Sequence, residues 1–184
     1  VAIGENAGDA LSTGSDNTLV GDNAGGALTT GGNNIAIGSA ALDAEDTGTD
    51  SVAIGFNALT AQNNDSTNYN IAIGSSAGAA ITSGVNNTLL GALAGDALTT
   101  GSNNHAIGRD ALGADTLGSQ NIAIGRLALG SQNFTTATDV HNVAIGSQAG
   151  FAITTGTHNT LVGGLAGDAL TDADFNVAIG HNAL

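Results

Sequence analysis

The chain has 184 residues, about one domain's length, and a formal net charge of −14 from sixteen acids set against Arg109 and Arg126. That balance excludes the basic stripe of a nucleic-acid binder and opposes adsorption to anionic membranes, while the lack of cysteine excludes disulfides and thiolate metal sites. Charged residues are 10% and aromatics 3%, with no Pro, Met or Trp, so small aliphatics must supply a thin core.

From the first residue onward a four-residue box recurs, an aliphatic or polar residue, Ala or Leu, an aliphatic and then Gly. Its glycines are Gly4, Gly21, Gly38, Gly55, Gly74, Gly91, Gly108, Gly125, Gly146, Gly163 and Gly180. Successive glycines stand 17 residues apart except for 19 between Gly55 and Gly74 and 21 between Gly125 and Gly146. Three residues after every box glycine stands Ala. Four residues before it stands Asn17, Asn34, Asn70, Asn87, Asn104, Asn121, Asn142, Asn159 or Asn176, with Ser51 the one departure.

A longer period lies over the first. The residue after the fixed Ala runs Gly, Gly, Leu, Leu and starts again, and boxes beginning with Thr (Thr18, Thr88, Thr160) fall at every fourth unit. The single repeat domain 1–184 therefore divides into super-units 1–70, 71–142 and an incomplete 143–184, and reads as a segment of a longer fibre.

Each unit carries two short extended stretches, the box (Ile71-Ala72-Ile73) and an Ala-Leu-Thr-Thr type (Ala97-Leu98-Thr99-Thr100), bounded by the turn formers Gly and Asn. No 3.6-residue apolar stripe persists, which argues against helix. One unit cannot bury its own apolar face, but stacked units bury a continuous one. The expected fold is all-β, a parallel β-solenoid of about eleven 17-residue rungs, roughly 50 Å long at the usual strand spacing. The aliphatic just before the glycine is expected to line the interior, and the Asn column to form an amide ladder that fixes register. Because the box is apolar on both faces, one face is expected to meet a partner copy in an oligomer, a trimer being the expected form.

No nucleophile–base pair breaks the repeat, so the chain reads as no enzyme, with no cofactor and no metal site. Asp and Asn beside Gly, as in Asp16-Asn17 and Asp22-Asn23, give a calcium reading little support without the calcium β-roll nonapeptide. His141 and His158 occupy one column on adjacent rungs, expected near 5 Å apart, in a row otherwise varied enough to read as exposed. The two long rungs, 56–70 and 126–142, hold Phe56, Tyr69 and Phe134 and begin the second with Arg126. Loops added to a solenoid often bind partners, so these four residues form the candidate binding surface. The Thr pairs Thr29-Thr30, Thr99-Thr100 and Thr154-Thr155 suggest an ice-binding alternative, but Asn63-Asn64 and Asn133-Phe134 interrupt the row.

The boxes resemble the head repeats of trimeric autotransporter adhesins, most closely at Asp50-Ser51-Val52-Ala53-Ile54-Gly55 and Asn142-Val143-Ala144-Ile145-Gly146. The run Thr155-Gly156-Thr157-His158-Asn159-Thr160-Leu161-Val162-Gly163 is similar to repeat shafts of phage tail fibres. The resemblance implies a left-handed β-roll, three chains side by side, on a cell surface or virion. It implies an extracellular adhesive fibre module that presents a surface to a host receptor, matrix or glycan, or alternatively a structural stalk with no binding site of its own. The 17-residue period is longer than the units of adhesin heads. No nucleic-acid partner and no membrane insertion of this segment are expected.

Overall fold

The computed structural model describes all residues from Val1 to Leu184 and is a parallel β-solenoid without helix. Its strands are β1 (Ala2–Ile3), β2 (Thr18–Val20), β3 (Ile35–Ile37), β4 (Val52–Ile54), β5 (Ile71–Ile73), β6 (Thr88–Leu90), β7 (His105–Ile107), β8 (Gly118–Ser119), β9 (Ile122–Ile124), β10 (Thr138–Asp139), β11 (Val143–Ile145), β12 (Thr160–Val162) and β13 (Val177–Ile179). Eleven of them form one sheet in chain order, and β8 pairs with β10 in a second small sheet. Register follows the repeat: Ala36 pairs with Ala53, Ala53 with Ala72 and Ala123 with Ala144, so the two longer turns leave the ladder unshifted.

Four positions in each turn have positive φ, and they explain much of the repeat. The box glycine lies near +135°, from 128° at Gly180 to 141° at Gly74, a region open essentially to Gly alone. A methyl on Gly74 would also lie 2.5 Å from the carbonyl of Gly91 on the next rung. The other three positions lie two and four residues after the glycine and five before it, all in the left-handed helical region. Asn, Asp and His tolerate that region better than most residues, and they fill most of the column from Asp16 to His158.

The box faces the opposite way from the sequence expectation. Its middle residue points inward, with Ala36, Ala53, Ala72 and Leu89 fully buried, while the aliphatic before the glycine points out, Ile37 being 37% and Ile73 40% exposed. The lumen is too narrow for a β-branched residue on every rung. It admits a box leucine only beside glycines: a methyl on Gly8 or Gly25 would lie 2.5 or 2.9 Å from the Leu19 methyls. Leu89 stands in the same way between Gly78 and Gly95, and Leu161 between Gly150 and Gly167. The Gly-Gly-Leu-Leu period is thus a volume exchange that keeps the core filled, with each buried leucine contributing about 2 kcal/mol.

The second extended stretch is a strand in no rung and is mostly turn and bend. The Leu98 N–H donates to Gly95 O within its own turn, and only the Thr99 N–H reaches the next rung, at Thr116 O. A regular second ladder needs bonds from alternate residues, and short parallel pairing appears only just beyond this stretch, between β8 and β10 and at the Thr49–Thr67 bridge.

Candidate interaction surface

Three features of the wall bear on function: the amide ladder and the polar network behind it, the outward face of the sheet, and the columns at the two ends of its strands. The Asn ladder forms as expected. Asn17 Oδ1 accepts the Asn34 N–H at 2.9 Å, and Asn34 Oδ1 in turn accepts the Ser51 N–H at 2.9 Å. Asn34 Nδ2 donates to Gly48 O, and the same pattern runs through Asn70, Asn87, Asn104, Asn142 and Asn159. These amides are buried and engaged, which makes them structural.

A second buried polar system lay outside the sequence reading. Seven residues after the box glycine runs a column of Leu11, Leu28, Glu45, Gln62, Ile81, Leu98, Asp115, Gln132, Ile153 and Leu170. Its four polar members are fully buried. Glu45 Oε1 accepts from the N–H groups of Gly48 (2.8 Å) and Asn64 (3.4 Å), and Oε2 from Gln62 Nε2 (3.0 Å) and Asn68 Nδ2 (3.1 Å). Asp115 Oδ1 accepts from the N–H groups of Gly118 (3.1 Å) and Phe134 (3.0 Å), and Oδ2 from Gln132 Nε2 (2.6 Å). Asn64 and Phe134 belong to the long rungs, so the extra residues close over a buried acid on the rung before. An acid and a glutamine recurring 17 residues apart just before each insertion was the available signal.

That arrangement relocates one candidate residue. Phe134 is only 7% exposed, because its N–H is drawn onto the buried Asp115, and it is no surface anchor. Phe56 (56%) and Tyr69 (61%) are exposed, as is Arg126. They are not brought together. Phe56 and Arg126 share the column just after the box glycine, four rungs apart, whereas Tyr69 lies in the column before the strand.

The outward face carries the first and third box residues of all eleven rungs. One row is Val, Ile or Thr with a single His105, the other entirely Ile, Val or Leu. None of the sixteen acids and neither arginine lies on it. Two side-chain rows over eleven strands cover about 500 Å², the upper end of what a monomer leaves exposed as one apolar patch.

The hydroxyl of the first threonine in each pair is committed to the backbone. Thr29 Oγ1 donates to Asp46 O (3.1 Å), Thr99 Oγ1 to Thr116 O (3.0 Å) and Thr154 Oγ1 to Thr171 O (3.1 Å). The second threonine of each pair, Thr30, Thr100 and Thr155, is exposed. No group of three or more His, Cys, Asp or Glu side chains converges on one point. The one concavity, about 480 Å³ and lined by Val1, Leu11, Gly14, Asp16, Asn17 and Thr18, is the uncovered end of the first coil. No family model, curated protein or solved structure matches the chain.

Proposed function

We propose that this chain is an extracellular structural and adhesive fibre module that packs through its outward sheet face against copies of itself. The observation that carries the reading is the eleven-rung, mainly aliphatic face, free of acids and arginines, on a chain of net charge −14. Acidic surfaces keep such chains apart wherever they are exposed, while burial of this face returns about 25 cal/mol per Å². The resemblance to adhesin heads and tail-fibre shafts supports three left-handed coils side by side. Exposed Phe56, Tyr69 and Arg126 support contact with a host receptor, matrix or glycan, since aromatic and arginine side chains are typical anchors. A second reading, a shaft without a binding site of its own, is favoured by the inward use of the long rungs at Glu45 and Asp115.

Light scattering coupled to size exclusion tests self-association. The parent chain is expected to run as an oligomer, and Ile37→Lys, Ile73→Lys and Ile107→Lys combined are expected to run as a monomer with unchanged circular dichroism. A monomeric parent at micromolar concentration would overturn the reading. Binding of host-cell or glycan surfaces by the parent, compared with Phe56→Ser and Tyr69→Ser, separates module from plain shaft.

A further inference from the structure

The column five residues before the box glycine ends in three neighbouring rings, and the chemistry of two of them points beyond packing. His141 and His158 are exposed on adjacent rungs with ring centroids 5.1 Å apart and planes inclined by 44°. Phe175 lies on the far side of His158 at 4.9 Å, inclined by 24°. The Thr157 hydroxyl donates to Asp174 Oδ1 at 3.0 Å, so at 3.1 Å from His158 Nδ1 it accepts. In the neutral ring this arrangement suits the tautomer with its proton on Nδ1 of His158, which leaves the Nε2 lone pair free for a ligand. A histidine held by a hydroxyl and a carboxylate behind it is the usual outer support of a metal-ligating imidazole. Asp174 is itself anchored by the Thr157 N–H at 2.6 Å.

We propose that His141 and His158 form a two-imidazole site for a late first-row divalent cation. Its remaining ligands are water, and Thr157 and Asp174 act as positioning residues. Two nitrogens bound to one ion stand roughly 3.4 Å apart in the tetrahedral geometry of Zn²⁺ and roughly 2.8 Å apart as cis ligands in the tetragonal geometry of Cu²⁺. The two exposed rings sit in turns on neighbouring rungs, two residues before β11 and β12, and close to that separation by rotation of the His141 side chain, whose ring makes no hydrogen bond. Cu²⁺ is expected to bind most tightly and Zn²⁺ less so, following the general order for nitrogen ligands. His105 and His181 lie in other columns without a histidine neighbour and serve as internal controls. The site does not depend on self-association.

The test is calorimetric titration of the purified chain with Cu²⁺ and, separately, Zn²⁺. Asn is the replacement of choice, because Asn33, Asn86 and Asn103 hold the same left-handed backbone in this column. The parent is expected to bind one Cu²⁺ per chain. His141→Asn or His158→Asn alone should weaken binding at least tenfold, Thr157→Val should weaken it by less, and His105→Asn with His181→Asn should leave it unchanged. The proposal is overturned if the parent binds no ion, if either single variant binds like the parent, or if the control pair abolishes binding. Thermal melts of each variant establish that the fold is intact.

Discussion

The two long turns solve one problem with different residues. Both close over a buried acid that bonds a glutamine one rung on, yet the first uses Glu45, Ser51, Asn64 and Asn68 where the second uses Asp115, Asn121, Phe134 and Val140. The longer Glu45 is matched by the shorter Ser51, whose hydroxyl accepts Gln62 Nε2 at 2.8 Å. The shorter Asp115 leaves room for Asn121 to keep its place in the ladder, donating to Asn104 Oδ1 at 3.1 Å. The first turn is sealed by polar groups and leaves Asn68 Oδ1 buried without a partner. The second is sealed by a ring and a valine, which need none. The lesson is that an insertion in a solenoid can exist for the sake of the core it covers.

Removing the acids is the largest perturbation of this comparison. Glu45→Ala strips the acceptor from four donors, and with buried donors costing about 1–3 kcal/mol each when orphaned, a loss of about 4 kcal/mol is expected. Asp115→Ala orphans three donors and should cost about 3 kcal/mol. Hydrogen exchange is the appropriate measurement, because repeat proteins open locally. The Gly48 and Asn64 amides should lose protection in the first variant, and the Gly118 and Phe134 amides in the second. Unchanged protection in either would mean that the carboxylate does not hold its turn.

Much of the architecture was legible, and the unread parts have a common physical cause. The 17-residue spacing determined stacking, register and the Asn ladder, because identical residues at identical heights must form rows. The direction of the box was misread since Ile-Ala-Ile is apolar on both sides, and hydrophobicity alone cannot say which side is enclosed. Size could have: leucine enters the middle of the box only at Leu19, Leu89 and Leu161, the rungs flanked by glycine pairs. Phe134 was read as exposed on the ground that inserted aromatics project outward. The contrary clue, an acid 19 residues earlier, carries meaning only once Asp115 is known to face inward.

The ring that seals the second turn gives a sharper contrast between the two. Phe134→Ala should cost about 3 kcal/mol, at the low end for burial of a phenyl ring, and should expose Asp115 to water. Asn64→Ala, at the equivalent position of the first turn, should cost under about 0.5 kcal/mol, since only its main-chain N–H meets Glu45 while its own amide bonds Ser83 O at 3.4 Å. Denaturant melts of both variants decide this. Equal losses would show that the polar seal and the ring seal work alike.

The smallest expected effect lies on the outer turns, where the super-units also differ. In the first, burial holds the Asp43 carboxyl above its ordinary value of 3.8, and the charges of Asp22 and Asp9 push it further the same way. The equivalent position in the second is Gly113, and the nearest comparable acid, Asp96, is raised by burial and by the one charge of Asp110, against the pull of a backbone hydrogen bond. Its neighbour Asp110 is in turn paired with Arg109 at 2.8 Å. A carboxyl raised in the folded state binds its proton more tightly there than in the unfolded chain. The resulting stabilisation is complete below 3.8 and is lost as pH rises through the raised value. Asp43→Asn should therefore melt slightly higher than the parent at pH 7, the gap closing as pH falls through the raised value and being gone below 3.8. Added salt should narrow the gap at pH 7 by screening Asp22 and Asp9, leaving the part due to burial. A gap that is absent at pH 7, or that widens on acidification, would remove the acid crowding that distinguishes the first super-unit from the second.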